Sequence, residues 1–158
     1  MESPHRSSPK AQPVPRTTAQ RKADVLDQLL NGRHVWIASG NASGDAHLVP
    51  LAFAWDGSHL VMTTRETNKT ARNLRRTGRA RLALGSTSDV VIIEGPVCFP
   101  EQADISPETA TAFDKLPLDP RKVSGAVCLR VTPARILAWR SVTEIPHRTV
   151  MANGRWLA

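Results

Sequence analysis

Apolar positions change period along this chain, and each change of period marks a change of element. In TTAQRKADVLDQLLNG (17–32), Val25, Leu26, Leu29 and Leu30 recur at helical spacing. Thr17 and Gln20 have the spacing of a capping box, and Asn31-Gly32 supplies a stop, so an amphipathic helix is expected. The period then falls to two. HVWIAS (34–39) and HLVPLAFAW (47–55) read as strands, with Val49, Leu51, Phe53 and Trp55 on one face. Asp56-Gly57 predicts a hairpin into HLVMTT (59–64). Pro50 has no N–H for a ladder, so it marks an edge, a bulge, or a place where something other than a strand approaches. RARLAL (79–84), DVVIIEGPVCF (89–99), AVCLRVTP (126–133) and RILAWRS (135–141) continue the strand pattern, with a bulge or sharp coil expected at Gly95-Pro96. A short helix is expected over 68–76. Another follows Ser106, with Pro107 in its first position, and runs to about Leu116. Asn153-Gly154 near the end suits a small hairpin.

Six or seven strands joined mostly by tight turns argue against a parallel doubly wound sheet. They predict a mainly β fold, an antiparallel barrel with peripheral helices. Residues 1–16 carry four prolines and almost no large apolar group. They are expected to form a disordered arm outside a single domain at 17–158. No run approaches the ~20 apolar residues of a membrane span, and the N-terminus has no apolar centre of a secretory signal. A cytoplasmic protein is the expectation.

The formal charge of +7 and pI of about 10.4 fit nucleic acid, an anionic membrane or a polyanionic small molecule. Charge is concentrated in TTRETNKTARNLRR (63–76), where Arg65, Lys69, Arg72, Arg75 and Arg76 face one acid, Glu66. On a helix, Lys69, Arg72, Asn73 and Arg76 fall on one face, and Ala71 and Leu74 on another. Thr63 and Thr64 close the preceding strand, and a helix beginning at Thr67-Asn68 offers free N–H groups. Hydroxyls, N–H dipoles and cations together suit a phosphate. The alternative is a solvated basic helix face. There is no glycine-rich P-loop.

Cys98 and Cys128 lie in apolar runs and are expected to be buried, reduced and inert. Neither has a Cys or His at metal-ligand spacing. His5, His34, His47, His59 and His147 are scattered, with no nucleophile–base pair and no paired carboxylates. No catalytic side chain is assigned, as expected where a cofactor carries the chemistry.

Taken in order, GDAHLVPLAFAWDG (44–57), LVMTT (60–64), NKTARNLRR (68–76), RARLAL (79–84) and VVIIEGPV (90–97) resemble the flavin- and deazaflavin-binding split β-barrel superfamily of pyridoxamine 5′-phosphate oxidase-like proteins. The resemblance spans about residues 18 to 141. It implies a six-stranded antiparallel split β-barrel that forms a homodimer, with two cofactor sites at the interface. It places the cofactor phosphate on Thr63, Thr64, Arg65, Lys69 and Asn73, with Arg72 nearby. The backbone around Val49, Pro50 and Leu51 would lie along the tricyclic ring, and His47 belongs to that strand. Trp139 would wall the pocket from either subunit, an ordinary core tryptophan being the alternative. The implied reaction is hydride transfer between F420 or FMN and an unsaturated or quinone-like substrate. Arg75, Arg76, Arg79 and Arg81 would extend the positive surface toward the carboxylate tail of F420. The ending RTVMANGRWLA departs from the segment that grips substrate phosphate in true pyridoxamine 5′-phosphate oxidases, so vitamin B6 oxidation is not expected. Two rival readings are a non-catalytic flavin or deazaflavin carrier and a nucleic-acid-binding protein. Aromatic content of 4% without tyrosine leaves few stacking platforms for the latter.

Overall fold

The structure, a computed structural model, describes residues 10–158, and what the sequence predicts for residues 1–9 lies outside them. Helix α1 (Thr18–Asn31) starts with the expected capping box, in which Thr17 Oγ1 accepts from Gln20 N–H and the Gln20 side chain accepts from Thr17 N–H. It stops at Gly32, where any Cβ would run into the Gln28 carbonyl and the Phe53 ring. Val25 and Leu29 are buried as expected, but Leu30 stays 63% exposed. Arg21 takes its place on the buried stripe, one turn before Val25. Its guanidinium is tolerated there because it donates to the carbonyls of Arg16 and His147.

Strands β1 (His34–Gly40), β2 (Ala46–Trp55), β3 (Leu60–Arg65), β4 (Arg79–Ser86), β5 (Asp89–Cys98) and β6 (Ala126–Val131) form a closed antiparallel ring in the order β4-β1-β2-β3-β6-β5, with β5 pairing back on β4. Alternate residues point inward. Ile37, Leu60, Met62, Leu82, Ile93 and Leu129 fill the interior at 1% exposure or less. Strand β7 (Arg135–Trp139) continues from β5 outside the ring, followed by β8 (Thr149–Ala152) and β9 (Arg155–Trp156). The last two form the expected small hairpin, with Asn153 and Gly154 both at positive φ.

Gly95-Pro96 does not interrupt β5. The strand runs through both residues, paired with β4, and here exchanges its other neighbour from β7 to β6. Glycine is required at this corner because a Cβ would collide with the Thr132 carbonyl. Helix α3 (Pro107–Phe113) begins at the Ser106 cap and ends earlier than expected. With Leu116 it covers an outer apolar cluster of Ala54, Val61, Phe113 and Cys128. Burial pushes the Cys128 thiol up to about 12, which keeps it protonated and inert. Cys98, expected to be buried, is exposed because it lies outward on β5, next to inward Val97. No helix among the described residues is long and apolar enough to cross a membrane.

The seam of the ring between β2 and β3 is paired over only part of its length. Their pairing covers Phe53↔Met62 to Trp55↔Leu60, whereas β1 pairs β2 from Ala46 to Ala52. Over that upper half, the β3-side edge of β2 carries no strand. Meanwhile β3 pairs β6 along its whole length, Leu60 to Arg65. Pro50 lies in the unpaired stretch, where its missing N–H costs no ladder bond. Helix α2 (Lys69–Thr77) packs Ala71 and Leu74 inward against β1, β2, β3 and β5.

Lys10 to Arg16 form neither helix nor strand, yet Arg16 is tied to the domain. Its guanidinium donates to Glu144 Oε1 and Oε2 at 2.9 and 2.8 Å and pairs with Asp24. Glu144 also accepts from the N–H groups of Arg16 and Arg140. These donors hold its carboxyl at about 2, well below the usual glutamate range. A depressed carboxyl stabilises the fold above its unfolded pKa and loses that stabilisation as pH falls through its folded value. Stability should therefore fall from about pH 4.3 toward 2. Glu144→Gln should cost roughly 3 kcal/mol at neutral pH and flatten this acid limb, as read by urea denaturation across pH.

Candidate functional site

Where β2 and β3 part, a groove of about 430 Å³ opens. Pro50, Leu51 and Ala52 form one wall, Thr63, Thr64 and Arg65 the other. Asn68 stands at one end, and Pro117 and Leu118 arch over from the loop after α3, with His34 at the start of β1. A second groove of about 320 Å³ is lined by Asp45, His47, Lys69, Arg72 and Asn73. Asn68 borders the first and Lys69 the second, so the N-terminus of α2 stands between them.

That N-terminus differs chemically from those of α1 and α3. Thr17 and Ser106 cap their helices, but Asn68 makes no cap hydrogen bond. Its side chain instead donates to Thr64 Oγ1 at 2.9 Å. The first-turn N–H groups of Lys69, Thr70 and Ala71 have no intrahelical acceptor and add the positive end of the helix dipole.

The cations of the 63–76 segment divide into two groups. Arg75 donates to Glu66 at 3.4 Å and stacks 4.1 Å from the Phe99 ring centre. Arg76 donates to the Gly40 carbonyl at 2.7 Å, and farther on Arg81 pairs with Glu94 at 2.8 Å. Of the four arginines expected to extend a positive surface, these three are engaged within the chain, whereas Arg79 is exposed and makes no ion pair among the described residues. Arg65, Lys69 and Arg72 are exposed and make no ion pair among the described residues. They surround the α2 N-terminus and form the unneutralised charge of the site.

The remaining expected residues separate by environment. Pro50 and Leu51 reach the first groove, Leu51 while also packing against the barrel core, whereas Val49 packs against the core without lining that groove. Thr63 and Thr64 border the groove but are nearly buried, and Thr63 donates to the Leu118 carbonyl at 2.7 Å. Thr64 accepts from Asn68, which leaves its own hydroxyl proton available. Asn73 is 8% exposed and donates to Ser39 Oγ at 3.1 Å, fastening α2 to β1.

Trp139 is not brought to the groove within one chain. It lies on β7 opposite Val90, with the Arg148 guanidinium 5.3 Å from its ring. It shares an outward apolar ribbon with Trp36, Leu48, Pro50 and Ile92 that crosses β2, β1, β4, β5 and β7. Trp36 and Leu48 are 49% and 60% exposed on it. Sequence reasoning missed the 117–118 loop and His34. Nothing local marks them, since the loop arrives from more than fifty residues away and His34 joins through its register with Ala52.

The comparisons agree with this architecture. The family model for pyridoxamine 5′-phosphate oxidase matches residues 22–140. A candidate pyridoxamine 5′-phosphate oxidase from Listeria innocua superposes at TM-score 0.63 and 17% identity, over 76% of this chain and 98% of that one. An F420 reductase superposes at 0.56 and 18% identity, over 70% and 93%. A heme-binding protein from Mycobacterium smegmatis superposes at 0.64 and 18% identity, over 89% of this chain and 60% of that one. At these identities the likeness is one of fold. No curated protein matches in sequence.

The Asn73–Ser39 bond separates a positioning role from a purely ligand-binding one. Asn73→Ala should lower the stability of the ligand-free protein by about 1 kcal/mol, because it orphans a partly buried hydroxyl and loosens α2 from β1. Chemical denaturation without ligand checks this. An unchanged midpoint would mean that the bond holds nothing.

Proposed function

Because the chain belongs to the pyridoxamine 5′-phosphate oxidase family, we propose that it binds a flavin-type cofactor, F420 or FMN, between β2 and β3 and uses it to pass a hydride to or from an unsaturated or quinone-like small molecule. The observation that carries this reading is the uncapped N-terminus of α2, flanked by three cations without acidic partners, at the end of a groove with an apolar wall.

The residues fit such a group. A phosphate is matched by the first-turn N–H groups of α2, by Lys69, Arg72 and Arg65, and by the free proton of Thr64. A flat ring is matched by Pro50 and Leu51 along the open edge of β2. The cofactor supplies the hydride-carrying ring. The protein binds it, fixes the ring against β2, sets cations near developing negative charge and excludes water. Asn73 acts in this scheme by holding α2 in place. F420 is the preferred candidate because the second groove, with Lys69 and Arg72, offers its tail carboxylates a cationic seat that FMN would leave unused.

The ribbon of Trp36, Leu48, Pro50, Ile92 and Trp139 supports a homodimer, since an apolar strip of this kind seeks cover. It begins at Pro50, on the groove itself, so a second copy seated on it would complete the site and could bring its own Trp139 to the ring.

F420 and FMN should be titrated separately at fixed salt, followed by fluorescence. Binding of either supports the proposal, and Lys69→Ala should weaken it by about 1.5–3 kcal/mol. Unchanged affinity would remove Lys69 from the site. Binding without turnover on any acceptor would favour a carrier. Preference for heme over both would favour a role like that of the heme-binding neighbour. Light scattering should give a dimer that Trp36→Glu dissociates, whereas a monomeric wild type would overturn the interface site.

A further inference from the structure

His34 lines the proposed cofactor groove. Among the described residues lining that groove, only His34 and Arg65 are ionisable, and arginine keeps its proton throughout the working range of proteins. The pleat of β1 turns Val35 and Ile37 into the core and leaves His34 and Trp36 outward. Register places His34 opposite Ala52, two residues from Pro50. Neither of its ring nitrogens makes a hydrogen bond to another described residue. His59, by contrast, is held by Asp56 at 3.1 Å, and His47 faces the second groove.

We propose that His34 is a catalytic residue that protonates the reduced substrate, an assignment that rests on the groove holding a flavin-type cofactor as argued above. The substrate class is a carbon–carbon double bond conjugated to a carbonyl, or a quinone. The reductant is the two-electron-reduced form of the cofactor. When an enone accepts the hydride, a C–H bond forms at the β-carbon and the π electrons move to the carbonyl oxygen, leaving an enolate. When a quinone accepts it, an O–H bond forms at one carbonyl oxygen and the ring electrons move to the other, leaving a phenolate. His34 imidazolium transfers its N–H proton to that anion, and the neutral imidazole recovers a proton from water. The groups facing His34 sharpen the assignment. Arg65 on β3 is cationic and stabilises the anion without titrating. Pro50, Leu51 and Ala52 on β2, and Pro117 and Leu118 on the loop, carry no charge.

The test uses the full-length protein with F420 and FMN, and 2-cyclohexen-1-one and a benzoquinone as acceptors. First, imidazole resonances are followed by NMR as oxidised cofactor is added. His34 signals, assigned by their loss in His34→Gln, should shift while those of His59 stay in place. Second, His34→Gln should keep cofactor affinity within a few-fold but lower the rate of reduced-cofactor oxidation by about a hundredfold. The limb of the wild-type pH–rate profile that falls toward high pH should vanish with it. If neither cofactor binds, the groove reading fails and this assignment with it. If cofactor binds but His34 signals stay still, or His34→Gln keeps the wild-type rate and profile, the assignment alone is overturned.

Discussion

The parting of β2 from β3 above Phe53 is the constraint on which the rest of this structure depends. β3 pairs β6 along its whole length but β2 only from Leu60 to Met62, so the upper half of β2 is paired with β1 alone. An unpaired edge inside a barrel must be covered or used. Here α2 packs beside it, the 117–118 loop leans over it, and the space left becomes the groove. Pro50 is compatible with this position because no ladder bond is asked of it. The same residue in a doubly paired strand would leave a hole in the hydrogen bonding.

Placement of α2 then decides the electrostatics. Asn73 bonds Ser39 and Arg76 bonds the Gly40 carbonyl, so the helix is held to the end of β1 by polar contacts as well as by Ala71 and Leu74. This orientation sets its bare N-terminus between the two grooves. It also sorts the cations. Arg75 is turned toward Glu66 and Phe99, while Lys69 and Arg72 are left toward the opening. A basic segment is thus divided into arginines that hold the structure and cations that remain available to an anion.

The barrel closes on its other side by different means. β5 serves β4 along most of its length and exchanges β7 for β6 at Gly95, where the Thr132 carbonyl comes too near for any side chain. Arg16 and Arg21 join α1 to the turn after β7 through Glu144 and the His147 carbonyl. Buried charge is tolerated there because every oxygen of Glu144 has donors. The outcome is a barrel paired around its circumference except along the upper half of the β2–β3 seam.

Much of this is determined by local sequence. Periodicity and cap chemistry are short-range properties, and so α1 with its Thr17–Gln20 box, the 47–64 hairpin, α2 and the Asn153-Gly154 turn are all legible in the linear chain. The hydroxyls and cations of 63–76 likewise mark the segment that borders both grooves. Errors arise where a distant residue decides. Leu30 carries the same local signal as Leu29, but the burial of Arg21 depends on a carbonyl 126 residues away. Gly95-Pro96 looks like a break, and only the approach of Thr132 makes it a corner. Asn73 and Arg72 are neighbours with equal claims as ligands, and only the position of Ser39 makes one of them a fastener. His34 and Leu118 enter the groove through strand register and loop return, for which a linear chain carries no mark. Local patterns specify which elements form, because propensity and capping act within a few residues. The tertiary structure decides which side chains are free to act, because that depends on which partners the fold has already brought to the others.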